Sequence, residues 1–363
     1  MITISLCMIV KNEEDCLARC LNSVKDIADE IIIVDTGSTD KTMKIAKKFT
    51  NNIYEFEWIN DFSAARNFAF SKATMDYRMW LDADDVILEA DRKKILELKK
   101  TLSKDVDIVT MKYNTSTDAD GNVLFSSTRG RLFKREKNHE WLDPIHEYIP
   151  LSGNVLYLQD IFITHKKEKH FTDRNIKIYE EQIKNNIELS PRSTYYYARE
   201  LRDHGRHIEA IHYFEKFLND GFGWVEDNIA SCFALSVCYQ VIKNQDKRLG
   251  SLLRSFEYAK PRAEICCQLG YYFRDEKSNL DMAVYWFKTA LELENPNSVG
   301  FVLHDFWGYI PNIELAVCYY RLGDMEKSKL YNSEAKKHKP NSTAVKYNED
   351  LFKEMAKKDL ASS

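Results

Sequence analysis

The chain is poor in residues that break or stiffen a backbone. Seven Pro and 12 Gly in 363 residues exclude collagen-like and proline-rich architectures. No apolar run approaches the roughly 20 residues that a bilayer-spanning helix requires. The apolar start, Met1–Val10, is cut short by Lys11-Asn12-Glu13-Glu14-Asp15, with no basic stretch before it and no small-residue cleavage site after it. Neither a membrane span nor a secretory leader is expected. The eight cysteines are scattered, and Cys7, Cys16, Cys20 and the adjacent Cys266-Cys267 match no zinc spacing. We expect reduced thiols in a cytoplasmic protein. A surplus of one charge is also missing. Fifty-two basic and 56 acidic residues leave a net charge of −4, so no nucleic-acid partner is expected.

What is present is ordinary globular material, 44% hydrophobic and 30% charged, in a chain too long for one core and suited to two domains. The first part alternates apolar runs with helical spacing. Ile2–Val10, Glu30–Val34, Ile53–Trp58 and Arg78–Leu81 read as strands, and Glu13–Val24, Thr42–Phe49 and Ser63–Ala73 as helices. Leu156–Thr164 is the last expected strand. This order predicts an α/β domain with a doubly wound, mainly parallel sheet. Ligands of such sheets sit beyond the carboxyl ends of the strands, where Asp35 and Asp82-Ala83-Asp84-Asp85 fall.

After about Asp173 the strand pattern ends and paired helices begin. Tyr196-Tyr197-Ala198 leads to Gly205, and similar phrases return at Leu269-Gly270-Tyr271-Tyr272 and at Ala316-Val317-Cys318-Tyr319-Tyr320 before Gly323. Matching Gly205 to Gly270 gives 65 positions, close to two repeats of about 34 residues. Asn228–Lys260 is then a degenerate second unit, and His304–Pro311 an insertion. The pattern resembles tetratricopeptide repeats. We expect an α/β domain over residues 1–170, a helical linker over 171–190, repeats over 191–345 and a C-terminal helix over 346–363.

Two carboxylates at i and i+2 on a strand share a face, and at a strand end they can converge on one hard cation. On its own, Asp82-Ala83-Asp84 suits a solvated turn or helix cap better than a metal site. Four segments in order carry more: Ser5–Glu14, Ile33–Thr42, Phe62–Asn67 and Trp80–Asp85. Together they resemble the family 2 glycosyltransferases, which have the GT-A nucleotide-sugar fold. With the helical repeats, the chain is similar to the members that S-glycosylate bacteriocin peptides. The resemblance implies a UDP-sugar donor and a divalent metal, Mn²⁺ or Mg²⁺. It implies that Ile9, Lys11 and Glu13 border the nucleoside, with Lys11 standing where the family often has an aromatic residue. Asp35 would accept from the base or ribose, Arg66 and Ala83 would lie beside the nucleotide, and Asp82 would reach the ribose or the metal. Asp84 would ligate the metal, and His165 would complete its site.

The segment Arg129–Lys134 followed by Trp141-Leu142-Asp143-Pro144-Ile145-His146-Glu147 resembles a signature of one branch of the family. Glu147 is the expected base, with His146 and Asp143 as alternatives, and Arg131 is expected at the diphosphate or the acceptor. The reading is an inverting, metal-dependent transferase that moves a hexose to a Cys, Ser or Thr side chain of a peptide or protein. The repeats would present that acceptor or form a homodimer. Transfer to a lipopolysaccharide core or other surface glycan is the alternative, and an inactive repeat scaffold a further one.

Overall fold

A computed structural model describes residues 1–118, 120–166, 172–294 and 300–362. The chain forms two compact units. The first comprises Met1–Thr117, Phe125–Ser193 and a short segment ending at Phe301, and the second holds nearly all of the chain from Thr194 onward. The expected boundary at 170/171 adjoins and enters a stretch outside the described residues.

The first unit contains strands β1 (Ile4–Val10), β2 (Glu30–Asp35), β3 (Ile53–Glu55), β4 (Tyr77–Trp80), β5 (Asp85–Val86), β6 (Ile108–Thr117), β7 (Val123–Lys134) and β8 (Val155–His165). Their order in the sheet is β3-β2-β1-β4-β7-β6-β8-β5. β3, β2, β1 and β4 are mutually parallel. β4 pairs with β7 and β5 with β8 antiparallel, whereas β6 and β8 run parallel. The sheet is therefore parallel in its first half and mixed beyond.

Helices α1 (Leu17–Val24), α2 (Thr42–Ala46), α3 (Phe62–Ser71) and α4 (Glu89–Thr101) cover the sheet. Successive strand residues point to opposite faces, and β1 shows this cleanly. Ile4, Leu6, Met8 and Val10 pack with Leu17, Cys20, Leu21 and Val24 of α1 and Ile95 of α4. Cys7 points the other way, joining Ile32 and Val34 of β2 against Ala69 and Phe70 of α3. Each such side chain, fully buried, contributes roughly 1.5–3 kcal/mol, and a one-residue slip would turn the whole set outward. The winding on both faces follows from that alternation. β3 is shorter than the sequence suggests: Trp58 leaves the sheet, packs edge-on against Phe62 at 4.6 Å and donates to Asn60 Oδ1 at 2.9 Å.

α5 (Arg174–Lys184) follows in the first unit. α6 (Pro191–Asp203) straddles the division between units. Then come α7 (His207–Asp220), α8 (Val225–Val241), α9 (Gln245–Arg254), α10 (Ala263–Tyr271), α11 (Leu280–Glu292), α12 (Tyr309–Arg321), α13 (Met325–His338) and α14 (Thr343–Ser362). Left-handed residues at Gly205, Lys243, Ser278 and Gly323 mark the turn within each pair at intervals of about 35–45 residues, as helical-hairpin repeats require. The match between Gly205 and Gly270 is corrected here. Gly270 lies inside α10, where an added Cβ would meet Phe287 at 2.7 Å; it is a packing glycine, not a turn glycine. Of the expected insertion, Tyr309–Pro311 belongs to the first turn of α12. All eight cysteines are buried and unbridged. No helix among the described residues is long and apolar enough to cross a membrane.

Candidate functional site

Because β1, β2 and β4 are parallel, their carboxyl ends share one edge of the sheet, and the loops there are sewn together. Thr36 N–H donates to Val10 O at 3.0 Å, Asn12 N–H to Ser38 Oγ at 3.0 Å and Thr39 N–H to Asn12 Oδ1 at 2.7 Å. The buried Asp35 carboxylate closes its own turn, accepting from Ser38 Oγ at 2.6 Å and Ser38 N at 3.1 Å. Ile9 is half-buried on the α3 face, Lys11 is exposed, and the Glu13 carboxylate accepts from Cys16 Sγ at 3.1 Å.

Arg66 occupies the centre of this edge. It sits on α3, whose N-terminus is capped by Asp61 accepting from Ala64 N at 2.9 Å, a favoured arrangement at a helix start. Its guanidinium carbon lies 4.9 Å from the Trp80 ring and 5.0 Å from the Trp141 ring. Nη2 donates to Asp82 Oδ1 at 2.7 Å and Nε to Glu147 Oε1 at 2.6 Å. Burial works against a charge here, yet the two carboxylates outweigh it and hold Arg66 more firmly protonated than usual. Burial likewise opposes the charge on Asp82, and Arg66, then Arg131 and His165, bring its carboxyl below the ordinary range. Nη1 of Arg66 is buried with no hydrogen-bond partner among the described residues, an orphaned donor that folding alone does not explain.

Glu147 is brought to Arg66 by a tight loop. Leu142 and Tyr148 exchange backbone hydrogen bonds at 2.9 and 3.1 Å, and Asn67 grips the base of the loop through Trp141 N at 2.8 Å and Trp141 O at 3.0 Å. Sequence reasoning quoted Asn67 beside Arg66 but gave it no role. Inside the loop, Asp143 and His146 adopt left-handed backbone at φ 65° and 52°. The Asp143 carboxylate, pushed up by burial, accepts from Ser190 Oγ at 3.0 Å. The His146 ring stacks on Tyr179 at 6.5 Å. Of the three base candidates, Glu147 is the one joined to Arg66 and, through it, to Asp82.

A second cluster lies at the β5–β8 pairing, whose register sets Asp85 opposite His165. Asp84, Asp85 and His165 offer one ligand atom each, all within 4.8 Å of one another. The expected trio was Asp84, Asp82 and His165; Asp82 instead engages Arg66. Asp84 is half-buried, and burial pushes its carboxyl up to about 6 despite His165 Nδ1 at 3.4 Å. Burial disfavours charge on His165, but the hydrogen bond to Asp85 and the nearby carboxylates raise it overall. Ala83 is buried beneath the loop.

Arg131 requires correction. It is 0% exposed, stacked 3.9 Å from Trp80 and 4.4 Å from Tyr113, with Nη1 donating to Trp80 O at 3.2 Å and to Asp85 Oδ2 at 3.3 Å. A side chain with no accessible surface supports the loop from beneath and does not face a diphosphate or an acceptor.

Residues 5–165 match the family model described as glycosyl transferase family 2. A TPR repeat-containing protein of Synechococcus elongatus is 41% identical over 161 residues, covering 44% of this chain and 38% of that protein. The SPbeta prophage-derived glycosyltransferase SunS of Bacillus subtilis is 32% identical over 232 residues, covering 60% of this chain and 54% of SunS. The matches thus span about half, or less, of the length of these curated relatives. Among solved structures, the TPR protein YrrB aligns at 17% identity over 49% of this chain and 83% of that chain, at a TM-score of 0.37, too slight a likeness to carry an argument.

Proposed function

We propose, from the premise that residues 5–165 form a family 2 glycosyltransferase domain, that this chain transfers a hexose from a UDP-sugar to a Cys, Ser or Thr side chain of a peptide or protein, with inversion. The observation that carries the reading is the convergence of Arg66, Asp82 and Glu147 beside Asp84 and His165 on one sheet edge. The 232-residue match to SunS, longer than the domain match, supports it.

The roles follow from charge. The departing nucleoside diphosphate is an anion, and the orphaned Nη1 of Arg66 suits one of its oxygens, since a guanidinium fork binds phosphate well. Asp82 and Glu147 hold that fork in place. The Asp84 carboxyl, disfavoured as an anion by burial, and the His165 imidazole fit a divalent cation, and oxygen and imidazole donors suit Mn²⁺. Such a cation, Mn²⁺ or Mg²⁺, would offset diphosphate charge as the glycosidic bond breaks. The anomeric carbon then passes through an oxocarbenium-like state. Glu147 Oε2, which has no partner among the described residues, would take the acceptor proton. A thiol acceptor needs this help less than a hydroxyl does, because it ionises near pH 8.5. Ile9, Lys11, Glu13 and Asp35 would border the nucleoside, and the helical repeats would hold the acceptor chain, or a second copy, as solenoid surfaces do.

The test is UDP release from UDP-hexoses with Mn²⁺ and with chelator, followed by mass spectrometry of candidate peptides. Metal-stimulated UDP release and a hexose increment on a Cys, Ser or Thr are expected. No release from any UDP-hexose would overturn the reading, and a glycan product in place of a peptide would redirect it.

A further inference from the structure

The buried carboxylate of Asp85 has a full set of partners. Oδ1 accepts from Tyr113 Oη at 2.9 Å and lies 3.3 Å from His165 Nδ1. Oδ2 accepts from Asp82 N at 3.1 Å and from Arg131 Nη1 at 3.3 Å. A carboxylate offers about four lone-pair sites, and here four groups surround it in a place with 0% exposure. To ligate a cation, Asp85 would have to give up one of them. Asp84 is different: it is half-buried, and among the described residues it lies within ion-pair distance of the His165 imidazole alone, Nδ1 at 3.4 Å.

The same contacts fix the imidazole. Tyr113 Oη lies 2.9 Å from Asp85 Oδ1 and 3.0 Å from His165 Nδ1. A phenol has one proton, and with that proton on Asp85 its oxygen is left as an acceptor. Nδ1 then faces three acceptors, the phenol oxygen, Asp85 Oδ1 and, at 3.4 Å, Asp84 Oδ1, which only an N–H satisfies. The reverse tautomer would set the Nδ1 lone pair against the carboxylate oxygen. Nε2 makes no hydrogen bond to the described residues.

We propose that Asp85 is a positioning residue: backed by Arg131 and Tyr113, it holds His165 as the Nδ1–H tautomer and so presents Nε2, with the Asp84 carboxylate, to the divalent cation, without ligating that cation itself. The cation half of this rests on the reading under Proposed function; the tautomer half does not. A histidine ligand commonly donates its other ring N–H to a carboxylate, and loss of that support costs about 10–100-fold in metal affinity. The two-storey arrangement explains why a fully buried Arg131 belongs near the site although it cannot touch a substrate. It also explains Trp80, whose ring lies 4.9 Å from the Arg66 guanidinium carbon and 3.9 Å from that of Arg131.

The experiment uses the full chain in two measurements. Histidine-selective ¹⁵N spectra of the metal-free protein at alkaline pH, with His165 assigned by comparison with His165→Gln, should show Nδ1 protonated and Nε2 bare. Mn²⁺ affinity, read from the electron paramagnetic resonance of the free ion, should fall about 10–100-fold in Asp85→Asn and become unmeasurable in Asp84→Asn. Asp85→Asn should also redistribute the His165 tautomers. If Asp85→Asn does not fold, Tyr113→Phe removes one acceptor of the Nδ1 proton and should shift the same signals part of the way. An Nε2–H tautomer in the wild-type chain overturns the proposal. So does loss of Mn²⁺ in Asp85→Asn as complete as in Asp84→Asn, which would make Asp85 a ligand, and so does an unchanged affinity. The expected tautomer in a chain that binds no Mn²⁺ would retire the metal reading and leave the positioning of His165 standing.

Discussion

The α/β domain and the helical region bury different things. In the first, Arg66, Asp85 and Arg131 are 6%, 0% and 0% exposed and lie at or under the strand ends, tied to one another through Trp80, Tyr113 and Asp82. In the second, the core is Ala263, Cys266, Cys267, Ala283, Phe287, Ala290, Leu315 and Cys318. There burial pushes the Cys238 thiol up to about 11 and the Cys266 thiol up to about 12, which leaves them inert as nucleophiles. Buried charge is costly unless paired, so its accumulation on one sheet edge marks where the fold has spent stability on something other than folding. The helical region spends most of its buried positions on packing, and its buried Arg248 is paired with Glu276 at 3.0 Å. Substitutions should therefore separate the two: at the sheet edge they should change chemistry, and in the repeats stability.

The sharpest form of that contrast is Asp84→Ala. The side chain is half-buried and pairs weakly, with His165 Nδ1 at 3.4 Å, so no large stability mechanism is lost. Turnover and Mn²⁺-dependent UDP binding are expected to vanish, at least about 10³-fold in rate, the scale of losing an electrostatic group at the reacting centre. Thermal melting should not fall. Full activity in this variant, or in wild type with chelator, removes the metal from the reading.

Truncation tests whether the division of labour is real. A fragment ending at Asp173 discards Ser190, which donates to the Asp143 carboxylate, and Arg192, which donates to His146 O at 3.1 Å. A fragment ending at Asp203 keeps both. Each lost hydrogen bond costs about 1 kcal/mol, so the shorter fragment should bind UDP some tenfold more weakly than the longer. Both should lose transfer to a peptide while retaining slow UDP-sugar hydrolysis, provided circular dichroism shows them folded. Peptide transfer at the full rate by the longer fragment would release the repeats from acceptor binding.

A smaller effect concerns pH. The folded chain holds the Asp84 proton up to about pH 6, against an ordinary 3.8. It therefore binds that proton more tightly than the unfolded chain does, and stability falls as pH rises from about 4 to about 6. The penalty is fully present above that window and absent below it. About 2 kcal/mol is the ceiling after allowing for the 21% of the side chain left exposed. Metal-free Asp84→Asn should thus be more stable than wild type by up to that amount at pH 8 and equal to it at pH 4, measured by denaturant unfolding. A gain of the same size at both values would assign the effect to something other than the buried charge.

The parts of the molecule that were legible beforehand are those in which the determinant is local. The alternation Leu6, Cys7, Met8 names a two-faced strand, and Asp35 and Asp82–Asp85 announce themselves as strand ends. The unreadable parts depend on partners far along the chain. Tyr113 meets Asp85 from 28 residues away because β6 and β5 both flank β8. Asn67 meets Trp141 from 74 residues away, and nothing in either segment advertises the other. Arg131 was expected at the ligand because its segment resembles a family signature; two aromatic faces and a buried carboxylate make it a support.

Gly270 and Gly205 show the same limit and give the finest test. In the sequence they looked equivalent, but their physical reasons differ. At Gly270 the backbone is helical and ordinary, and the obstacle is space: an added Cβ would lie 2.7 Å from Phe287 Cε1 and Cζ. Overpacking a core costs about 1–3 kcal/mol, and the better helix propensity of Ala returns about 1 kcal/mol. Gly270→Ala should therefore destabilise by up to about 2 kcal/mol, and Phe287→Leu should lessen the loss by clearing the ring. At Gly205 the obstacle is the backbone: φ is +74° and nothing lies within 4 Å of an added Cβ. Left-handed strain costs about 1–2 kcal/mol, while the stiffer unfolded chain returns about 0.4–1 kcal/mol. Gly205→Ala should cost at most about 1.6 kcal/mol and be insensitive to Phe287→Leu. Gly205→Asn should cost less still, because Asn tolerates this conformation. Denaturant unfolding of the four single variants and the two double variants decides it. Rescue of Gly205→Ala by Phe287→Leu, or none for Gly270→Ala, would mean that the two glycines do not differ as their surroundings require.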